Sequence, residues 1–220
     1  MSDAKEKKPT EAALRRAQKE KERLFLLTEY ERPLWAEGIL PGGMDEVGRG
    51  PLAGPVVAAC AVLPPEPLVE GVNDSKKLSE KKREALFELL KEQAQYGIGV
   101  VDQTVIDEIN ILRATRKAFC MAFEQMKTRP EVVLVDAMAS LPIEAKQISL
   151  IKGDAKSYVI GAASILAKVI RDRMMVEYDR MYPQYGFARN KGYGTAEHIE
   201  AIRKYGPCPL HRRSFIQKWL

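Results

Sequence analysis

Residues 42–57, Gly-Gly-Met-Asp-Glu-Val-Gly-Arg-Gly-Pro-Leu-Ala-Gly-Pro-Val-Val, constrain this chain more than any other stretch. They set two adjacent acids beside an arginine held between glycines, then close with two further Gly/Pro turns. Packing alone does not call for that combination; glycines beside acids let backbone come close to a charged polymer or a metal. Residues 56–63 follow as an unbroken apolar run of strand length, stopped by Pro64 and Pro65. They read as a buried strand, paired as a hairpin with the strand leading into Asp45.

The same alternation continues downstream. Residues 96–101, 132–135 and 147–151 read as short strands, the second ending abruptly in Asp136. Ser79 is placed to cap a helix running to about residue 95, with Leu86, Leu89 and Leu90 turned inward. Val105, Ile109, Leu112, Phe119, Phe123 and Met126 keep helical spacing and predict one long amphipathic helix over 104–127. A further helix is expected over 158–182, with Met174, Met175 and Met181 as packing residues, and a short one ends near Gly206. Strands alternating with long helices predict an α/β domain whose mixed sheet has about five strands and opens on an antiparallel hairpin.

Residues 10–27 are rich in helix formers, and Leu24, Leu27, Tyr30 and Leu34 recur at helical spacing. Pro33 is expected to interrupt this pattern and Gly38 to end it. Residues 1–40 therefore read as a helical N-terminal extension with a frayed, charged start, and 41–220 as the main α/β domain with a C-terminal helical segment. The extension either packs on the domain surface or grips substrate.

A chain of 220 residues is long enough for one well-buried core with an appendage. Apolar residues make up 45% and charged residues 30%, and no window approaches the ~20 apolar residues of a membrane span. The charged start has no apolar run behind it, so a cytoplasmic protein without a secretory signal is expected. Cys60, Cys120 and Cys208 lie far apart with no C-x-x-C spacing, which indicates neither a disulfide framework nor a zinc site. The net charge of +5 permits a polyanionic partner without requiring one.

Asp45, Glu46, Asp136 and Asp154 fall at or just beyond three expected strand ends. A carboxylate there is costly unless it is solvated, paired or bound to a cation. Oxygen donors without neighbouring Cys or His suit Mg²⁺ or Mn²⁺, and such a set supports two-metal hydrolysis. Taken singly, an Asp at a strand end is a turn or cap residue, and Asp154 also reads as the cap of the helix after it. Neighbours on a strand point to opposite faces, so Asp45 and Glu46 share a site only if the strand ends or bends between them; Gly48 and Gly50 suggest such a bend.

The segment Asp45-Glu46-Val47-Gly48-Arg49-Gly50-Pro51-Leu52-Ala53-Gly54-Pro55-Val56 resembles the signature of bacterial ribonuclease HII. Agreement continues through Asp74-Ser75-Lys76-Lys77-Leu78, Val135-Asp136, Lys152-Gly153-Asp154, Ala162-Ala163-Ser164-Ile165-Leu166-Ala167-Lys168-Val169, Lys191-Gly192-Tyr193-Gly194-Thr195 and His211-Arg212-Arg213-Ser214-Phe215. The resemblance implies a ribonuclease H-like fold acting as a monomer on RNA/DNA hybrids and on duplex DNA with embedded ribonucleotides, as in ribonucleotide and RNA-primer removal. It implies cleavage 5′ of a ribonucleotide, leaving a 3′-hydroxyl and a 5′-phosphate, with the four acids holding two Mg²⁺ or Mn²⁺. Gly48, Arg49, Gly50 and Tyr193 match the residues that read the junction, and Ser164 falls in a matching block as a further substrate contact.

Physical reasoning runs parallel to that resemblance. Only the 2′-hydroxyl separates RNA from DNA at one nucleotide, and glycine backbone can reach it where a side chain would obstruct. Tyr193 suits stacking on a sugar or hydrogen bonding, although a lone tyrosine is more often half-buried filler. Lys76, Lys77, Lys168 and Arg212 suit phosphate contacts, although each lysine alone reads as a solvated charge. His198 and His211 read as ordinary surface or capping residues. A binding module without chemistry would be favoured by the loss of an acid, and all four are present; the sister type HIII enzyme would carry a larger N-terminal domain and no junction specificity.

Overall fold

The computed structural model describes residues 10–138 and 140–220. The charged start over 1–8 lies outside them. Thr10 accepts a hydrogen bond from the Ala13 amide and so caps α1 (Glu11–Leu27), which is followed by α2 (Glu31–Ala36). Strand β1 (Gly42–Val47) turns back into β2 (Val56–Val62), and α3 (Glu80–Gln93) leads to β3 (Gln95–Val101). Helices α4 (Gln103–Ile109) and α5 (Ile111–Glu124) precede β4 (Val132–Asp136) and β5 (Lys146–Leu150). The chain continues through α6 (Tyr158–Met181), α7 (Phe187–Asn190), α8 (Ala196–Tyr205) and α9 (Arg213–Ile216).

The five strands form one sheet in the order β3-β2-β1-β4-β5. Strand β1 runs antiparallel to β2, from Gly42 opposite Val62 to Val47 opposite Val57, and parallel to β4, which pairs parallel with β5. The mixed sheet and its opening hairpin are as the apolar pattern predicted.

Successive side chains of a strand leave opposite faces, and β2 shows why its sequence is apolar throughout. Val57, Ala59 and Ala61 pack with α3 and α6, whereas Val56, Ala58 and Cys60 pack with α5. Both faces are covered. Helix α6 lies unusually close to β1, because a Cβ on Gly43 would fall 2.0 Å from the carbonyl carbon of Val159. That contact admits only glycine, and it brings the start of α6 over the strand that carries Asp45. A third cluster joins Leu52 and Ala53 to Met175, Tyr185, Phe187, Ile202, Leu210 and Ile216, so the C-terminal helices pack on the loop between β1 and β2.

Several local expectations are corrected. The helix over 104–127 is two, divided at Asn110 (φ 68°), whose side chain caps α5 by accepting from the Leu112 and Arg113 amides. Both helices turn apolar residues toward one sheet face, so spacing alone conceals the break, and Leu112 is left exposed. Pro33 interrupts nothing. The break falls at residues 28–30, and Pro33 sits in the first turn of α2, where a missing N–H is harmless. On α3 the inward residues are Leu86, Phe87 and Leu90, with Leu89 exposed. Met175 is buried, but Met181 is exposed. The three cysteines are free thiols.

Candidate active site

The parallel pairing of β1 with β4 sets Met44 opposite Val135. Asp45 and Glu46 therefore leave the carboxyl end of β1 beside Asp136 at the end of β4. Asp154 lies in a 3₁₀ turn, Gly153–Ala155, that follows β5 and folds back on Asp136, whose Oδ1 accepts the Gly153 N–H at 2.6 Å. Asp154 does not cap α6; Ser157 does, accepting from the Ile160 amide. The bend expected between Asp45 and Glu46 is absent, since β1 stays in register through Val47, and the chain turns only at Gly48 (φ 95°). The charge of Asp136 at the end of β4 acts on both acids.

Three of the four acids sit above the ordinary carboxylate range. Burial pushes Asp45 well up, with the Glu46 and Asp136 charges adding to it while a Ser164 hydrogen bond opposes. Burial also raises Glu46, against the pull of Arg49. Asp154 is raised by burial and then by Asp74 and Asp136, with Lys76 opposing. Partial burial pulls Lys76 down, yet the carboxylates of Asp154, Asp45, Asp74 and Asp136 outweigh it and hold the ammonium above its usual value. Its Nζ lies 3.8 Å from Asp154 Oδ2.

Buried carboxylates crowded on one sheet edge repel each other unless positive charge comes among them. The buried Glu46 Oε2 has no hydrogen-bond partner. These oxygen donors fit a hard divalent ion, with Lys76 supplying part of the counter-charge in its place. Among the described residues no three His, Cys, Asp or Glu side chains close into a ready-made cage. Magnesium tolerates that, since it keeps waters and takes further oxygens from a substrate phosphate.

Beyond Glu46 the chain forms the loop 48–55, held by two buried arginines, Arg171 and Arg212. Arg171 of α6 donates to the carbonyls of Pro55 (2.9 Å), Ala53 (3.1 Å) and Lys191 (2.9 Å). Arg212 donates to those of Gly48 (2.6 Å), Arg49 (3.0 Å) and Gly54 (2.8 Å). Burial pushes the two guanidiniums down to about 10 and about 9. Arg49 itself reaches outward and meets Glu46 at 3.4 Å. Gly50 adjoins the exposed ring of Tyr193, where a Cβ on the glycine would stand 3.7 Å from Cε1.

The structure thus brings together Asp45, Glu46, Asp136, Asp154 and Lys76, and beside them Gly48, Arg49, Gly50 and Tyr193. Lys77 instead stands 4.0 Å from Asp74 and remains largely exposed. Ser164, Lys168 and Arg212, also expected to contact substrate, all make bonds within the protein. Ser164 is buried, within 2.8 Å of the Ser75 hydroxyl and hydrogen-bonded to Asp45, so it steadies an acid. Lys168 donates to Asp172 at 2.7 Å in a part-buried cluster with Arg83. Arg212 is 0% exposed and directs four of its N–H groups at carbonyls of the loop.

Arg171 escaped the sequence reading, as did Glu31. The buried Glu31 on α2 accepts from Ser157 Oγ (2.5 Å) and the Val159 amide (3.0 Å), and so braces the start of α6 beside Asp154. Burial raises its carboxyl despite those bonds. A charged residue inside a helical pattern carries no local sign of such a partner. His198 and His211 are not surface residues: both are buried, with Nε2 atoms 3.1 Å apart.

The chain as a whole is similar to known proteins. The family model of ribonuclease HII matches residues 42–218. The ribonuclease HII of Caldanaerobacter subterraneus subsp. tengcongensis is 55% identical over 205 residues, 92% of this chain and 85% of that one. That of Bacillus subtilis (strain 168) is 54% identical over 197 residues, covering 89% and 77%. The crystal structure of ribonuclease H2 from Pyrococcus horikoshii OT3 superposes with a TM-score of 0.67 at 31% identity, covering 81% of this chain and 95% of that one. With this fold, the chain belongs to the ribonuclease HII family and is an endoribonuclease of the ribonuclease H type.

Proposed function

We propose that the enzyme hydrolyses the RNA strand of RNA/DNA hybrids and incises on the 5′ side of single ribonucleotides embedded in duplex DNA, leaving a 3′-hydroxyl and a 5′-phosphate. Asp45, Glu46, Asp136 and Asp154 would hold two Mg²⁺ or Mn²⁺ ions. When bound, the ions polarise the attacking and leaving oxygens of an in-line phosphoryl displacement. The observation that carries the reading is adjacency: two residues separate Glu46 from Arg49, and Gly50 opens onto Tyr193.

Gly48 and Gly50 offer backbone that approaches a ribose without a side chain in the way, and Tyr193 stacks on the sugar beside it. Arg49 and Lys76 hold the flanking phosphates, with Lys77 further out, fixing register without reading sequence. Lys76 moves from Asp154 to phosphate when the acids gain other counter-charge. Residues 1–40 are an addition to the catalytic domain over 41–220, bracing it through Glu31. The enzyme works as a cytoplasmic monomer; among the described residues no helix is long and apolar enough to cross a membrane. A gel assay decides the substrate: a duplex with one embedded ribonucleotide is cut at that position and its all-deoxy counterpart is left intact. Equal cutting of both would refute the 2′-hydroxyl reading.

A further inference from the structure

Tyr193 and the loop 48–54 are held to one another by a short C-terminal segment. Arg212 binds the carbonyls of Gly48, Arg49 and Gly54, and its own amide donates to Leu52 O at 2.8 Å. Its neighbour His211 meets His198 of α8, whose Nδ1 lies 2.8 Å from the Tyr193 carbonyl. Tyr185 and Phe187 pack around the two imidazoles, with ring centroids 4.8 Å from His211 and 5.4 Å from His198 respectively.

The direction of every hydrogen bond in this line is determined. A carbonyl only accepts, so His198 Nδ1 carries a proton toward Tyr193 O. In a neutral ring its Nε2 is then a lone pair, and His211 Nε2, 3.1 Å away, must be the donor. That leaves His211 Nδ1 as an acceptor, and the Cys208 amide, which only donates, points at it from 3.0 Å. The alternative, a proton on Nδ1 directed at Cys208 O 3.3 Å away, would set two donors against each other at the Cys208 amide. Cys208 Sγ, 3.2 Å from the same nitrogen, can donate or accept and so fits this tautomer, which the Tyr193 carbonyl and the Cys208 amide select.

We propose that His211 and His198 form a neutral, tautomer-locked relay, Cys208 N–H to His211 to His198 to Tyr193 C=O, that positions the Tyr193 turn against the Gly48–Gly50 loop and so contributes to ribonucleotide selection. The inference rests on the ribose-reading role proposed for Tyr193. His198 and His211 are positioning residues, as neither ring is exposed. Burial lowers both imidazoles, His211 to about 4, so the neutral pair persists at pH 7. The charged or titratable groups around it are the Cys208 thiol, the Tyr185 phenol and the Arg213 guanidinium, and none supplies negative charge near neutrality.

The chain has 2 histidines, so long-range ¹⁵N–¹H spectra of the histidine-labelled full-length protein contain only these rings. At pH 7 His198 should show the Nδ1–H tautomer and His211 the Nε2–H tautomer; an imidazolium or the reverse pair would overturn the relay. A double-mutant cycle tests its purpose on a duplex with one embedded ribonucleotide. His198→Ala should lower kcat/KM about tenfold, and less in His198→Asn, whose amide can still donate to Tyr193 O. In a Tyr193→Ala background His198→Ala should add nothing, whereas additive losses would mean that His198 serves folding alone. If Tyr193→Ala by itself leaves kcat/KM unchanged, the ribose reading fails, and the tautomers still decide the relay.

Discussion

Gly50→Ala separates folding from recognition at the centre of the site. A Cβ there would have Tyr193 Cε1 as its nearest neighbour at 3.7 Å, an ordinary contact, and Gly50 is not among the positive-φ glycines. Stability should hold or rise by up to about 1 kcal/mol, because alanine has fewer unfolded conformations to lose. The methyl group would, however, fill the gap in front of Tyr193 through which a ribose would approach the backbone. Losing one hydrogen bond to the 2′-hydroxyl in that setting costs about 1–3 kcal/mol, or roughly 5- to 150-fold in kcat/KM. Gly48→Ala is the contrast, since its Cβ would fall 2.4 Å from Arg171 Nε and 2.6 Å from Pro55 O at φ 95°. That variant should lose about 1–3 kcal/mol of stability. The assay is kcat/KM on a duplex with one embedded ribonucleotide, read beside a thermal midpoint. A Gly50→Ala protein with both values unchanged would refute the placement of substrate at this glycine.

Asp136→Asn should abolish cleavage yet retain hybrid binding in a gel-shift assay, because it removes a proposed metal ligand and no phosphate contact; retained turnover would remove Asp136 from the site. Arg212→Met leaves the carbonyls of Gly48, Arg49 and Gly54 unpaired. It should cost about 3–5 kcal/mol in urea unfolding, and a loss under about 1 kcal/mol would mean that the loop stands without it. His211 titrates near 4 when folded against 6.5 ordinarily, so the unfolded chain binds its proton first. Its contribution is complete above about pH 6.5 and shrinks as pH falls toward 4, by roughly 3 kcal/mol in all. The raised acids Asp45, Glu46 and Asp154 act in the opposite sense, so the effect is read as the difference in pH-dependent stability from His211→Gln; identical pH profiles would refute it.

Much of the architecture was legible because its signals are local. An unbroken apolar run stopped by prolines encodes a covered strand within eight residues, and β2 needed nothing more. Ser79 caps α3 by side-chain chemistry that acts over three residues. Asp136 stood out because an apolar run that stops at a carboxylate is conspicuous at the edge of an α/β sheet. The Asn110 break was not legible: two helices that turn apolar residues toward the same sheet face share one spacing, and only the backbone shows the change of direction.

What the chain determined by itself was the order of its elements, the covered strand and the concentration of acids and glycines at 42–57. What the tertiary structure alone decided was the work of its buried polar groups. Arg212 anchors a loop 158 residues before it at Gly54, and Glu31 braces Ser157 across 126 residues. His198 and His211 looked like surface residues until folding buried them together. A donor or acceptor removed from water must find a partner, and its residue type does not say which one. That choice depends on the packing of segments far apart in sequence.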